Sequence, residues 1–307
     1  MKKAFVTGGA GFIGSQLAEE LLKLDFEVHI IDNLSSGYTK YIPDGALFHH
    51  LDICSADAKN VILKEKPDFL FHLAAQADVS RSISDPQNDA EINIIGTINM
   101  LEACREAGDC KIIFSSTSAV YGNLNKSNIS IEDPALPISY YGLSKFAAEN
   151  YIRIYHELYN LPITILRYGN VYGPRQTPKG EGGVVAVFLN RLKNSQPLTL
   201  HGDGRQTRDF IYVGDVVKAN LAAISNGNGQ TLHVSTGKPT SIQEVADILK
   251  ELHHEDIEIV YSNSRPGDIE HSCLNNEHTI HVLEWIPEMD MKYGLKAAYN
   301  AIKNDLS

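Results

Sequence analysis

The 307-residue sequence contains no apolar run approaching about eighteen residues, so no membrane-spanning helix is expected. Basic charge is short: 27 Lys and Arg stand against 38 Asp and Glu, a formal net charge of -11. No segment gathers a basic excess, which argues against nucleic acid or an anionic membrane as partner. Cysteine is scarce as well. Cys54, Cys104, Cys110 and Cys273 fall in no Cys-x-x-Cys pattern, so free buried thiols are expected rather than bridges or a thiolate metal site. His278 and His281 lack an accompanying carboxylate or cysteine set and read as a surface pair, so no metal is expected. Met1-Lys2-Lys3 runs straight into a strand-like segment without a signal-peptide hydrophobic region, which predicts a cytoplasmic protein. Repeats and low-complexity linkers are absent. What remains is an ordinary globular composition, 43% hydrophobic, long enough for one extended α/β domain or two joined domains serving a small-molecule ligand.

The apolar run Lys3 to Val6 breaks into Thr7-Gly8-Gly9-Ala10-Gly11-Phe12-Ile13-Gly14, followed by Leu17, Leu21, Leu22 and Leu24 at helical spacing. Strand, glycine turn and helix in this order let the backbone approach a pyrophosphate, with Gly8, Gly11 and Gly14 relieving clashes and the helix amino terminus facing the phosphate charge. The next strand, Glu27 to Ile31, ends in Asp32, a carboxylate placed to accept from an adenosine ribose and to repel a 2'-phosphate. The pair favours NAD over NADP. Further strands at 46–50, 69–73 and 111–115 alternate with a helix through Val61 and Leu63 and a long helix from about Asp89 to Ala107, predicting a parallel sheet covered on both faces. Leu73 is followed by Ala74-Ala75-Gln76, small residues where the sheet edge meets the cofactor. Asp52 stands where it reaches the adenine amino group, although a turn or a helix cap explains these residues equally well.

Residues 141 to 159 read as a helix, from the spacing of Phe146, Ala147, Tyr151, Ile154, Tyr155 and Leu158, and this stacks Tyr141 and Lys145 one turn apart. A phenol titrates near 10 and must drop about three units to serve as a base near neutrality. An ammonium about 4 Å away supplies roughly the required 4 kcal/mol at an effective dielectric near 20. The preceding strand runs into Ser115-Ser116-Thr117-Ser118, so a hydroxyl for a substrate oxygen reaches the same sheet edge. The strand at 163–167 is expected to close the nucleotide-binding half, residues 1–168. Beyond it, glycines and prolines crowd a loop and short elements suggest a smaller lobe over 169–307, some of whose segments return to the first domain. Elements are expected near 184–192 and 198–200, with helices at 242–252 and 291–302. Arg175, Arg205, Arg208 and Arg265 are candidate bidentate contacts for a nucleotide-sugar diphosphate. The fold expected is α/β, a Rossmann-type doubly wound parallel sheet with a smaller C-terminal substrate-binding lobe.

Taken together, Thr7 to Gly14, Val120-Tyr121-Gly122, Tyr141-x-x-x-Lys145, Arg167-Tyr-Gly-Asn170-Val-Tyr-Gly-Pro-Arg175, Gly204 to Asp215 and Arg265-Pro-Gly-Asp268 resemble the extended short-chain dehydrogenase/reductases over nearly the whole chain. Gly182-Gly183-Val184-Val185-Ala186 makes the UDP-glucose 4-epimerases the most similar members. The resemblance implies Tyr141 as catalytic base and acid, Lys145 on the nicotinamide ribose, and Thr117 on the sugar O4. It implies that Asn170, Arg208, Arg265, Asp268 and Ser272 meet the UDP-sugar, and that Phe12, Ile13, Asn33, Ser36, Gly37, Ile53, Asn93 and Tyr168 join the NAD site. It further implies a homodimer formed by the helices at 89–107 and 141–159.

In the related 4,6-dehydratases an Asp-Glu pair follows the hydroxyl residue; Ser118 and Ala119 stand there in this chain and cannot perform that acid-base work, which argues against a dehydratase. Tyr140 replaces a common proline and is an alternative base, but only Tyr141 has a lysine four residues on. The resemblance places position 272 beside the sugar N-acetyl site, and the small Ser272 there implies room for an N-acetyl group, extending the expected UDP-glucose and UDP-galactose to UDP-GlcNAc and UDP-GalNAc. In the expected reaction the C4 hydride passes to NAD and returns to the opposite face of a 4-keto sugar, with no net redox change. A UDP-glucuronate epimerase or a keto-sugar reductase is the nearest rival reading, and a non-catalytic NAD-binding protein the more distant one.

Overall fold

Short runs of β-branched and aromatic residues build the inner strands of the sheet, which are buried on both faces as a parallel sheet requires. In the computed structural model, which describes residues 1–124, 126–178, 183–253, 257–263 and 269–304, strands β1 (Lys3–Thr7), β2 (Glu27–Asp32) and β3 (Leu47–His50) alternate with helices α1 (Phe12–Lys23) and α2 (Ala56–Glu65). β4 (Phe69–His72), α3 (Val79–Ser84), α4 (Pro86–Ala90), α5 (Gly96–Ala107), β5 (Lys111–Thr117), α6 (Tyr140–Tyr159) and β6 (Ile163–Tyr168) follow. The remainder comprises β7 (Asn170–Tyr172), α7 (Val184–Lys193), β8 (Leu198–His201), β9 (Thr207–Tyr212), α8 (Val213–Ala222), β10 (Gln230–Val234), β11 (Pro239–Ser241), α9 (Ile242–Leu252), β12 (Ile259–Ser262), α10 (Glu277–Leu283) and α11 (Met291–Asn304).

The main sheet has seven parallel strands in the order β3-β2-β1-β4-β5-β6-β10. The order reverses between β1 and β4, and in sheets of this kind the crevice at the carboxyl ends of those two strands receives the ligand. Alternation along each strand divides the core. Val6, Ile30 and Phe71 pack with Leu17 and Leu21 of α1 on one face, while Phe5, Ile31, Leu70 and Phe114 pack with Met100, Leu101 and Ile152 on the other.

Two expectations need correction. β6 does not close the sheet: β10, reached after the chain has crossed the smaller lobe, pairs parallel outside it in the register Leu232 with Leu166. The helix expected over 89–107 is not uniform, because 91–95 forms a wide π turn between α4 and α5. Asn93 holds that turn through tertiary bonds: its side chain accepts from the Gln76 amide (2.9 Å) and donates to the Gln76 carbonyl (2.9 Å) and to Ser144 Oγ (3.0 Å). Along α6, which the apolar spacing identifies as a helix, Tyr151, Ile154 and Leu158 are exposed, whereas Ser144, Lys145 and Glu149 are buried.

The smaller lobe gathers Phe188, Leu189, Leu200, Phe210, Val245, Leu249, Leu295 and Tyr299 into its own core. Its strands form a three-stranded sheet, β11-β9-β7, and a parallel pair, β12-β8. The Ser241 hydroxyl and Glu244 carboxylate close a reciprocal cap at the start of α9, satisfying amides that a helix start leaves open. Both lobes border the carboxyl edge of the main sheet through β7, which leaves β6 after only Gly169.

Candidate active site

The glycine turn after β1 is shaped by close approach. Gly8 has φ +69°, and a Cβ there would lie 2.9 Å from the Ala74 nitrogen; at Gly14 a Cβ would lie 2.3 Å from the Gly8 oxygen. Gly11 caps α1 without a side-chain bond, so the first helical amides face outward as an anion site. At the tip of β2, buried Asp32 accepts from the Ala10 amide (3.0 Å) and the Leu34 amide (2.8 Å). Burial raises its carboxyl against the pull of those two amides. Beside it, Asn33 and Ser36 are exposed, and Gly37 packs against Ala10. Asn33 donates to Asp52 (2.8 Å), which also accepts from the Cys54 amide (2.8 Å). Burial lifts the Asp52 carboxyl, but these partners outweigh it and hold it below the ordinary range.

Leu73, Ala74 and Ala75 are half-buried at the end of β4, and Gln76 is held inward by Asn93 and by Asp89, whose Oδ1 accepts from Gln76 Nε2 at 2.7 Å. Ile53 fills the space against Gly96. A cradle that a Cβ would fill, open helix amides and a carboxylate at the second strand tip fit a dinucleotide.

α6 begins beside this cradle. Ser139 caps it by accepting from the Gly142 amide (3.1 Å), and a Cβ at Gly142 would lie 2.6 Å from the Ala119 oxygen, so only glycine lets the helix start lie against the end of β5. Tyr141 thereby enters a cleft of about 290 Å³ that it lines with Ser116, Thr117, Ser118 and Ala119. Thr117 Oγ1 accepts from the Ala119 amide (3.1 Å), which leaves the hydroxyl hydrogen to donate. Tyr140 is 49% exposed and does not line the cleft. Lys145 is 3% exposed, with its ammonium 4.2 Å from the centre of the Phe114 ring. Burial, and secondarily the Lys145 charge, depress buried His72 to about 3. His72 Nε2 donates to Thr97 Oγ1 (3.0 Å), which itself donates to the Asn93 carbonyl (2.7 Å), so Nδ1 accepts from Thr7 Oγ1 (2.8 Å).

The same cleft is lined by Phe12 and Ile13 of the glycine turn, by Tyr168 and Asn170, and by Arg208 and Ser272. Cofactor turn, phenol, hydroxyl and lobe residues therefore meet in one space. The arginines divide. Arg208 lines the cleft, but Arg175, at φ +71°, is drawn away by Ser15 (2.9 Å) and Glu19 (2.5 Å), and Arg205 is solvated beside Asp203. Arg175 and Arg205 are thus corrected as cleft contacts. Arg265 and Asp268 lie outside the described residues. Sequence reading missed Val79, Gln176, Val185 and Phe210 in the cleft wall. Gln176 directly follows the Gly173-Pro174-Arg175 motif, which is the one signal that could have found it.

The chain belongs to the NAD-dependent epimerase/dehydratase family, whose model matches residues 4–235. It is thereby an NAD-dependent enzyme, and the relatives it resembles include UDP-glucose 4-epimerases, which are isomerases. A putative UDP-glucose 4-epimerase of Methanocaldococcus jannaschii is 42% identical over 301 residues, covering 98% of both chains. The UDP-glucose 4-epimerase of Thermotoga maritima, solved with UDP-glucose, superposes with a TM-score of 0.96 at 39% identity, covering 99% of this chain and 100% of that one. A UDP-N-acetylglucosamine 4-epimerase of Methanobrevibacter ruminantium, in complex with UDP-N-acetylmuramic acid, superposes with a TM-score of 0.94 at 33% identity, covering 99% of each.

Proposed function

We propose that the protein is a redox-neutral 4-epimerase of UDP-sugars, acting on UDP-glucose and UDP-galactose. The observation that carries this reading is the meeting of Tyr141 and Thr117 with Phe12 and Ile13 of the cofactor turn in one cleft. Tyr141 takes the O4 proton and later returns it, while Thr117 donates to O4 and holds it against the phenol. Lys145, buried one turn along, holds the nicotinamide ribose and favours the phenolate. Bound NAD supplies a reversible hydride acceptor for C4. Asn170 and Arg208 grip the nucleotide, with Arg265 and Asp268 assigned to the same task from their motif. Because the grip lies on the nucleotide, the 4-keto sugar can turn over before C4 is reduced again.

Ser272 supports a second reading. It is 8% exposed and forms part of the cleft wall, and its small side chain is consistent with N-acetylated substrates. The division of labour follows the chain: residues 1–168 hold NAD and residues 169–307 the sugar nucleotide, with β10 contributed back to the main sheet. The homodimer reading is supported by the outward apolar face of α6, where Leu143, Tyr151, Ile154 and Leu158 are 42 to 66% exposed, together with Ile95. No helix among the described residues is long and apolar enough to cross a membrane, and a cytoplasmic location is proposed from the sequence.

The test is incubation of the purified protein, without added NAD, with UDP-galactose, UDP-GlcNAc and UDP-glucuronate separately, reading C4 epimers by proton NMR. UDP-glucose from UDP-galactose is the expected product. If no epimer forms from any of the three, even with NAD supplied, a net oxidoreductase or a non-catalytic NAD binder replaces this reading.

A further inference from the structure

Glu149 lies one turn beyond Lys145 on α6 and is wholly buried. Its carboxylate accepts from four donors: Ser116 Oγ (2.5 Å), Arg167 Nε (2.8 Å), Arg167 Nη2 (2.6 Å) and Arg153 Nη2 (2.8 Å). Burial alone would lift the carboxyl, but Arg167, Ser116 and Arg153 outweigh it and keep it ionised. The remaining Arg167 nitrogen, Nη1, donates to the Tyr121 oxygen (2.6 Å). His233 Nδ1 faces the Asn275 carbonyl (2.8 Å), which can only accept, so Nδ1 carries the proton and Nε2 accepts from the Tyr121 hydroxyl (2.5 Å). The chain from Glu149 to Asn275 is internally satisfied in one direction.

Three of its members tie it to the cleft, which Ser116 itself lines. Ser116 precedes Thr117, and Arg167 precedes Tyr168, which is the partner of Thr117 across β5 and β6. Asn275 belongs to the segment that carries Ser272. A buried ion pair is seldom more stabilising than apolar residues of the same volume, so stability alone is a weak account of this one. A two-pronged guanidinium–carboxylate contact does what an apolar contact cannot, because it fixes a plane and a rotation. We propose that Glu149, clamped by Arg167, is the positioning residue that sets the rotation of α6 against β5 and β6, and with it the approach of Tyr141 to Thr117.

This inference rests on the epimerase reading, and native protein assayed alongside separates the two: absent turnover by the native protein counts against that reading, whereas a change confined to a variant bears on the clamp. Glu149→Gln turns one acceptor oxygen into a donor that faces other donors. Its kcat per folded site is expected to fall tenfold or more, while KM for UDP-galactose and Kd for UDP stay within threefold of native. Arg153→Ala, which removes only the partly exposed fourth donor, is expected to stay within twofold. A merely structural Glu149 would lower the yield of folded protein and leave kcat per folded site within threefold; that result, or KM and Kd rising in step with the loss of kcat, overturns the clamp. Should Glu149→Gln not fold, Tyr121→Phe keeps the ring and removes the hydroxyl that braces Arg167 and donates to His233 Nε2: a threefold or larger fall in kcat at unchanged KM and Kd supports the clamp, and any other result overturns it.

Discussion

Asn93 Nδ2 donates to Ser144 Oγ at 3.0 Å, joining the π turn before α5 to the residue immediately preceding Lys145. The same side chain holds both the amide and the carbonyl of Gln76. One asparagine therefore fastens the loop after β4, the wide turn at 91–95 and the helix carrying Tyr141.

Replacing it should be costly. Asn93→Leu strands buried polar groups on Gln76 and Ser144, and an unmet buried group costs about 1–3 kcal/mol. Chemical denaturation should show a loss of at least that size, and NAD retention should fall with it. A variant as stable as native would mean that these groups find other partners.

The cofactor turn has its own test. Gly8→Ala places a Cβ at φ +69°, where an L-residue pays about 1–2 kcal/mol, and 2.9 Å from the Ala74 nitrogen. Calorimetric titration of NAD into cofactor-depleted protein should show weaker binding, while Asn170 and Arg208 of the smaller lobe keep the affinity for UDP. Unchanged NAD affinity would contradict the assigned cradle.

Tyr141, Lys145 and the glycine turn are legible in the amino-acid sequence because each is defined by local spacing along a single element. What the sequence leaves hidden is made by distant contacts. β10 is a five-residue edge strand that joins β6 only after the chain has crossed the smaller lobe. The turn at 91–95 exists because Asn93 reaches Gln76 and Ser144. Four arginines look alike in sequence; Ser15 and Glu19 turn one of them, Arg175, away from the cleft.

Acid should destabilise the protein above the range where carboxylates titrate. Burial depresses His72 to about 3 and His233 to about 4, from ordinary values near 6.5, and lowers His49 as well. Between those folded values and 6.5 the unfolded chain binds more protons. Stability present above about pH 6.5 is therefore lost as pH falls, by up to about 1.4 kcal/mol per pH unit for each fully titrating histidine. Urea unfolding between pH 6.5 and 4.5 should show this slope, and His233→Gln should flatten it; a native slope near zero would contradict the depressed histidines.

Substrate breadth should depend on Ser272. Ser272→Tyr fills the cleft wall and should reduce kcat/KM for UDP-GlcNAc by tenfold or more, about 1.4 kcal/mol, while UDP-galactose changes by less than threefold. Equal losses on both substrates would remove Ser272 from the N-acetyl site.

The most direct measurement follows the C4 hydrogen. UDP-galactose deuterated at C4 is incubated with native protein and with Tyr141→Phe, and the product is read by NMR. The account predicts UDP-glucose that keeps deuterium at C4, with turnover reduced about 10²–10⁴-fold in the phenylalanine variant. UDP-glucose carrying a solvent proton at C4, or undiminished turnover without the Tyr141 hydroxyl, would contradict it.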